Sequence, residues 1–420
     1  MTVSAPGFLN GLVALANATT NCFPMIQISG SSERALVDMQ RGDYEELDQL
    51  AAARPFAKAA YRIGRAQDIG LGVARAIRTA VCGRPGGVYL DVPAPCSARP
   101  STRPAPPKRC GASWTRAAPA ASTRGGRSRG AAPGTGTAAA DRSGKRCGIR
   151  PGRQRDSTIR GVHRDSVLAD VDGQGLLPDS HPQSVGAARS LALARADVIM
   201  LVGARLNWLL GHGEPPQWSA DATFIQIDIE ASEFDSNRPI AAPLAGDIGS
   251  VITALLDRVQ ELPVIAPTAW TDELAERRAR NDAAMRQRLA DDPHPMQFHN
   301  ALRAVRDVLV QHPDVYVVNE GANALDTARN VIDMHAPRRR LDSGTWGVMG
   351  IGMGYAIAAA VETGQPVVAI EGDSAFGFSA MEFETVCRYR LPITVVVLNN
   401  GGSTAATRPR QTGRTQRRPS

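Results

Sequence analysis

Apolar residues along this chain fall into short continuous runs closed by glycine or proline, alternating with stretches where they recur every three or four positions. "MIQISG" and "GGVYLDVP" have the first pattern and predict buried strands, while "DIGLGVARAIRTAV" has the second and predicts an amphipathic helix. The chain opens on "TVSA", which reads as the inside of a strand feeding a helix. A second group repeats the theme: "RSLALARADVIMLVGARLNWLL" is a helix followed by a strand, "TFIQIDIE" a strand, and "GDIGSVITALLDRV" a helix entered from a Gly-Asp turn. After the polar helical connector "WTDELAERRARNDAAMRQRLADD", a third group supplies the strands "DVYVVNEG", "PVVAIEG" and "PITVVVLNN". Strand and helix signals in turn predict an α/β fold of three doubly wound, parallel-sheet units. The expected boundaries are 1–95, 175–294 with the connector included, and 295–402.

The pattern breaks between about residues 96 and 174. "SARPSTRPAPPKRCGASWTRAAPAASTRGGRSRGAAPGTG" has almost no large aliphatic residue and no periodicity, so it cannot bury enough apolar surface to offset its ordering entropy. Disorder is expected there and in the tail 403–420. Charge follows the same division. Residues 96–161 carry 15 Lys or Arg against 2 Asp, and the tail adds 5 Arg, so a whole-chain charge of +7 leaves about −11 on the remainder. The protein is an acidic α/β chain with two basic segments. A nucleic-acid arm would use such arginines on phosphates, but Trp114 is the single aromatic available for stacking there, and no nucleic-acid partner is expected. A shifted reading frame in GC-rich coding sequence would yield the same bias toward Arg, Ala, Gly, Pro and Ser. The six cysteines are scattered without metal-ligand spacing, which suits a reducing cytoplasm. No apolar run is long enough to span a bilayer, and the N-terminal run lacks the basic leader of a signal peptide, so no membrane partner is expected.

Candidate chemistry is concentrated in "VVAIEGDSAFGFSAMEFETVCRYRLPITVVVLNN". It reads as a strand, a turn at Gly372-Asp373-Ser374, a helix through Met381 to Tyr389, and a strand over Ile393–Leu398. Parallel strands joined by such a crossover end on one sheet edge, where open sheets bind ligands. Asp373 and Asn400 would meet there as two hard oxygen ligands of the kind magnesium takes together with phosphate oxygens. The glycines at 372, 401 and 402 let backbone approach a diphosphate. A turn aspartate and an Asn-Asn turn are the plain structural alternative.

"GDS…LNN" resembles the cofactor motif of thiamine-diphosphate enzymes. Further stretches, among them "TVSAPGFLNGLVALANAT", "GDYEELDQL", "VGARLNWLLGHG", "NEGANALDTARNVIDM" and "RRRLDSGTWGVMGIGMGYAIAAA", closely resemble oxalyl-CoA decarboxylases over residues 1–95 and 175–402. The resemblance implies partial pyrimidine-binding, nucleotide-binding and diphosphate-binding domains in that order, the first truncated and the other two incomplete. It implies conversion of oxalyl-CoA to formyl-CoA and carbon dioxide, with thiamine diphosphate and magnesium as cofactors, ADP as an activator, and a homo-oligomer.

Residue by residue, the resemblance makes Asp373, Asn400 and the Gly402 carbonyl metal ligands. It places Gly347, Val348 and Met349 along the cofactor, Met349 as the wedge that bends it. Ala322, Asn323, Ser374 and Ala375 would face the diphosphate, the last two at a helix start whose free amides favour anions. Tyr44 and Glu45 correspond to residues reaching the active site from a partner subunit, and Arg329 to a substrate contact. Arg84, Arg205, Asp228 and Asp247 correspond to the nucleotide site. Each has an ordinary alternative: a core methionine for Met349, an acidic helix start for Tyr44 and Glu45, a surface ion pair for Arg329, turn or cap residues for the rest. Departures from the pattern lead to an expectation of little activity. The glutamate that protonates the cofactor's pyrimidine ring would lie before Met1, and the C-terminal CoA contacts would lie after Gly402. Other readings are a 2-hydroxyacyl-CoA lyase, an acetolactate-synthase-like enzyme, or a non-catalytic product of a frameshifted gene.

Overall fold

The structure is a computed structural model that describes residues 1–36, 39, 41–94, 139–143, 166–169, 174–259, 261 and 267–401. Its chain divides into two compact units. One comprises Met1–Asn281 with Gly344–Val348, the other Asp282–Ser343 with the remainder.

The first unit holds two parallel sheets. Helix α1 (Pro6–Thr20) leads into β1 (Met25–Ser31). Short α2 (Gln49–Ala53), β2 (Ala59–Arg62), α3 (Ile69–Val81) and β3 (Gly87–Pro93) follow, and the sheet order is β1–β3–β2. β3 is central and buried along nearly its whole length, as a strand covered on both faces must be. Phe8, Leu15, Ala53 and Tyr89 fill one face, while Ile63, Ala76, Ala80, Val88 and Leu90 fill the other. "TVSA" does not form a strand. Only Thr2 bridges to Ser29, because Pro6 at the start of α1 pulls the chain off the sheet edge.

The second sheet has the order β5–β4–β6–β7–β8, with β4 (Ala139–Ser143), β5 (Ser166–Ala169), β6 (Val198–Val202), β7 (Thr223–Asp228) and β8 (Ile240–Ala245) all parallel. Helix α4 (Arg189–Arg195) precedes β6, and α5 (Ile248–Val259) follows β8. The expectation of disorder across 96–174 is corrected here, because β4 and β5 lie inside that segment. Ala139 to Ser143 pair with Val198 to Val202, so the backbone of β6 finds its ladder partner in a stretch of low apolar content. Main-chain pairing asks little of side chains, and an unpaired edge next to β6 would leave buried amides without partners. The other residues of that segment up to 173, and the tail 402–420, lie outside the described residues. Long α6 (Thr268–Ala290) closes the unit, with Arg278 donating to the carbonyls of Asp179, His181 and Ser184. The 344–348 strip belongs to this unit through Trp208 Nε1, which donates to Thr345 O at 2.8 Å, and Asn21 Oδ1, which accepts from Thr345 N at 2.9 Å.

The second unit carries α7 (Phe298–Leu309), β9 (Tyr316–Glu320), α8 (Ala322–Val331), β10 (Arg340–Asp342), α9 (Gly352–Thr363), β11 (Val367–Gly372), α10 (Asp373–Ser379), α11 (Phe383–Tyr389) and β12 (Ile393–Leu398). Its sheet runs β10–β9–β11–β12, again all parallel. Alternation along the strands sends Val317 and Ile370 to the face covered by α7 and α8. Val318, Val367 and Ala369 go to the face covered by α9. The expected single helix to Tyr389 begins earlier and is interrupted: α10 starts at Asp373 itself, and Ala380–Glu382 form a tight turn before α11.

Candidate functional site

Three neighbouring strands of the second unit end on one edge. Glu320 of β9 stands opposite Glu371 of β11, and Gly372 of β11 stands opposite Leu398 of β12. A helix leaves directly from two of these tips. Gly321, at φ 92°, is the residue before α8, and Gly372 is the residue before α10. A Cβ at Gly321 would lie 3.0 Å from the Gly372 nitrogen, so the two chain exits nearly touch. Only glycine tolerates both that φ and that approach. The first turns of α8 and α10 therefore open side by side. Ala322 and Asn323 occupy one, Asp373, Ser374 and Ala375 the other, and leading amides of a helix have no partner within it.

Asp373 is one residue past the β11 tip and half-buried, its Oδ1 accepting from Ser374 N at 2.9 Å. Asn400 is two residues past the β12 tip and exposed, after a turn in which Asn399 Oδ1 accepts from Gly401 N at 2.8 Å. Adjacent strands are about 4.8 Å apart, so Asp373 and Asn400 leave the sheet as neighbours. Gly402 lies outside the described residues. Met349 is 43% exposed, which removes the core-methionine alternative. Gly347 is exposed at φ 67°, and Val348 is half-buried.

Beneath this edge lies a feature that the sequence reading missed. Glu320 and Glu371 point to the same sheet face from adjacent strands and are 1% and 0% exposed. The Glu320 carboxylate accepts from the backbone amides of Gly350 and Gly352, whereas neither oxygen of Glu371 has a hydrogen-bond partner. Desolvation raises the Glu320 pKa against the opposing help of those amides. Burial first, and the neighbouring Glu320 second, push Glu371 up to about 7. The available signal was that "NEG" and "IEG" both close a strand with Glu-Gly before a helix. Which strands pair, and in what register, is not a local property of either.

Arg329, a candidate for substrate contact, is held instead by Asp342, its Nη2 donating at 2.8 Å to a carboxylate that is 2% exposed. It is an ion pair, as the alternative reading had it, but a largely buried one rather than one at the surface. Tyr44 and Glu45 lie in the first unit, in a turn shaped by Glu46, whose carboxylate accepts from the amides of Arg41, Gly42 and Asp43. Tyr44 is 84% exposed, and Glu45, at φ 54°, accepts from Ser4 Oγ.

The four nucleotide candidates do come together in the first unit. Val202 stands opposite Ile227 and Asp228 opposite Ala245, so Arg205, Asp228 and Asp247 sit at or just beyond adjacent strand tips. Arg84 reaches the same edge, where it pairs with Glu233 and lies 3.9 Å from Asp228. Asp228 is fully buried and accepts from Glu230 N at 2.7 Å. Asp247 accepts from Ser250 N at 3.3 Å as a helix cap, and Arg205 donates to Thr20 O at 2.7 Å. Among the described residues no cluster of His, Cys, Asp and Glu forms a ready-made metal site, and no helix is long and apolar enough to cross a membrane.

Comparison with known proteins gives three family matches: the thiamine pyrophosphate enzyme N-terminal TPP binding domain over residues 1–52, the central domain over 166–255, and the C-terminal TPP binding domain over 321–420. Oxalyl-CoA decarboxylase of Escherichia coli (strain K12) is 52% identical over 422 aligned residues, covering 96% of this chain and 71% of the relative. The 2-hydroxyacyl-CoA lyase of Oryza sativa subsp. japonica is 40% identical and 2-hydroxyacyl-CoA lyase 1 of Homo sapiens 38%, each matching 96% of this chain. The likeness thus extends further than residues 1–95 and 175–402. The central-domain match starts at 166, where β5 begins, and the C-terminal one reaches 420.

Proposed function

Since the chain belongs to the thiamine pyrophosphate enzyme family and is a homologue of oxalyl-CoA decarboxylase, we propose that it acts on oxalyl-CoA, giving formyl-CoA and carbon dioxide with thiamine diphosphate and magnesium. One observation carries the cofactor assignment. Gly321 meets Gly372 where two helices start, and a carboxylate and an amide oxygen leave the adjacent tips. That edge suits a diphosphate with a divalent ion. The leading amides of residues 322, 323 and 375 match phosphate oxygens, and Asp373 and Asn400 supply hard oxygen ligands.

When bound, thiamine diphosphate would supply the electron sink that decarboxylation of a 2-oxo thioester needs. The chain's own residues do the rest. Asp373, Asn400 and the Gly402 carbonyl hold the metal, and the amides of α8 and α10 orient the diphosphate. Gly347, Val348 and Met349 line the rings, with Met349 presented outward rather than into a core. Tyr44 and Glu45 act at the active site of a homo-oligomer, and Arg329 contributes to the CoA-bearing substrate once released from Asp342. ADP binds at the tips of β6, β7 and β8 between Arg205, Asp228 and Asp247, with Arg84 exchanging a carboxylate for a phosphate. The cysteines described as free, Cys22, Cys82 and Cys387, accord with a cytoplasmic setting.

The decisive experiment is carbon dioxide release from oxalyl-CoA by the full chain with thiamine diphosphate and magnesium, alongside cleavage of a 2-hydroxyacyl-CoA. Turnover of the first substrate alone supports the proposal. Turnover of the second alone transfers the assignment to the lyase activity named for the 38–40% identical relatives. Cofactor binding without turnover of either would leave the cofactor site standing and overturn the substrate assignment. Absence of cofactor binding would sink the reading altogether.

A further inference from the structure

Helix α9 begins at Gly352 without a local cap, since Ile351 before it offers no side-chain acceptor. Its leading amides are nonetheless met, by the Glu320 carboxylate arriving from the end of β9, some thirty residues away in sequence. The turn around those amides leaves no room for another arrangement. Gly350 sits at φ 85°, and a Cβ there would come 3.1 Å from Phe378 Cβ. A Cβ on Gly352 would press into the carboxylates of both Glu320 and Glu371. Two carboxyl groups have been buried together, with no cation paired to either among the described residues, so that one of them can grip this turn. Burying a carboxylate without a counter-charge is costly. A Ser or Asp at position 351 would cap the same helix far more cheaply, so stabilising α9 does not by itself account for the arrangement.

We propose that Glu320 is a positioning residue: by spanning the amides of Gly350 and Gly352 it locks the turn that presents Met349 toward the cofactor. The role assigned to Met349 rests on the proposed thiamine-diphosphate site, whereas the clamp is a property of the chain without cofactor. The hydrogen bonds Glu320 makes to Gly350 and Gly352 are to backbone, so its part is to position rather than to react. Rigidity here matters because a wedge works only if its own support does not yield. A bound anion at the N-terminus of α9 also uses the positive end of that helix, which strengthens the grip.

The test is amide hydrogen exchange on the full chain, read at Gly350 and Gly352, for the native protein and for Glu320→Gln and Glu320→Asp. In the native protein both amides should be protected as strongly as those of β9 and β11; rapid exchange there overturns the clamp without recourse to any variant. In Glu320→Gln, which keeps the shape but weakens the acceptor, exchange at these two positions should rise about tenfold or more, with α8 and β11 unchanged. Glu320→Asp, too short to reach both amides, should show at least as large a rise. Titration of thiamine diphosphate with magnesium should then show a weakening of about tenfold in Glu320→Gln, in proportion to the loosened turn. Uniform loosening of the whole unit with unchanged cofactor affinity would assign Glu320 a purely structural part and overturn the proposal. If the native chain binds no cofactor while the exchange pattern is as stated, the clamp stands and the cofactor reading of the site fails.

Discussion

Two sheet edges in this molecule are built alike and finished differently. At the tips of β6, β7 and β8, acidic side chains are neutralised within the protein. Arg84 serves Asp228 and Glu233, and Asp247 caps α5. At the tips of β9, β11 and β12, Glu320, Glu371 and Asp373 have no such cation among the described residues, and two of the three are fully buried. The same parallel topology thus yields one edge whose carboxylates are paired with a cation of the protein and one whose carboxylates are not, among the described residues. An edge of the second kind is where a divalent ion recovers the most energy, because no cation among the described residues already pairs with its carboxylates.

The largest effect expected from this contrast is at Asp373. Asp373→Ala should reduce magnesium-dependent turnover, or cofactor binding where turnover is low, by about a thousandfold, since a metal ligand is worth several kcal/mol. The check is a titration of magnesium at fixed thiamine diphosphate, and retention of native affinity would break the comparison. Next comes the pH dependence of folding in metal-free protein. Glu371 titrates at about 7 in the folded chain against an ordinary value of 4.5. The native state therefore holds its proton more tightly than the unfolded chain does. Stability is greatest below the ordinary value and falls as pH rises from about 4.5 to 7. The loss comes to about 3 kcal/mol and levels off above 7. Urea unfolding across that range should show the decline, and Glu371→Gln should flatten it.

At the paired edge the sign of the expectation reverses. Arg84→Met should cost about 2 kcal/mol of stability by removing the partly buried cation that pairs with Glu233 and lies near Asp228, while leaving magnesium and thiamine diphosphate affinity unchanged. A variant that is stable but loses the cofactor would show that the two edges are not independent. Smallest is Asp247→Ala, expected to cost about 1 kcal/mol as a lost helix cap, measured by thermal unfolding. If ADP also ceases to raise the melting temperature of that variant, Asp247 serves the nucleotide as well as the helix.

How much of this was legible in the sequence differs by element. β3, β6, β7, β9 and β11 announce themselves as largely apolar runs, because central strands of a parallel sheet are covered on both sides, and the edge strands β1 and β12 carry enough β-branched and aliphatic residues to be read as well. β4 and β5 were invisible for the opposite reason. They lie in a segment whose composition signals disorder, and their evidence is the register of β4 against β6 and of β5 against β4 rather than any pattern of their own. The convergence of Asp373 and Asn400 could be read from the strand–helix–strand spacing alone. The Glu320–Glu371 pair could not, because it depends on β9 lying next to β11, a neighbour relation between segments 51 positions apart. Arg329 and Arg84 carried family roles in the sequence, and the fold shows each already engaged by a carboxylate.

The contact between Gly321 and Gly372 has a consequence for how such a chain would behave under saturation mutagenesis. A diphosphate held by main-chain amides offers no side chain to delete for those contacts, so conventional alanine scanning would report Asp373 and pass over the amides of α8 and α10. The two glycines would also register. Because any replacement at 321 must adopt a φ of 92° and crowd the neighbouring backbone, that signal would be logged as misfolding. Probes that alter the backbone itself, such as ester substitution at the amides of 323 and 375, would be needed to make the cradle visible.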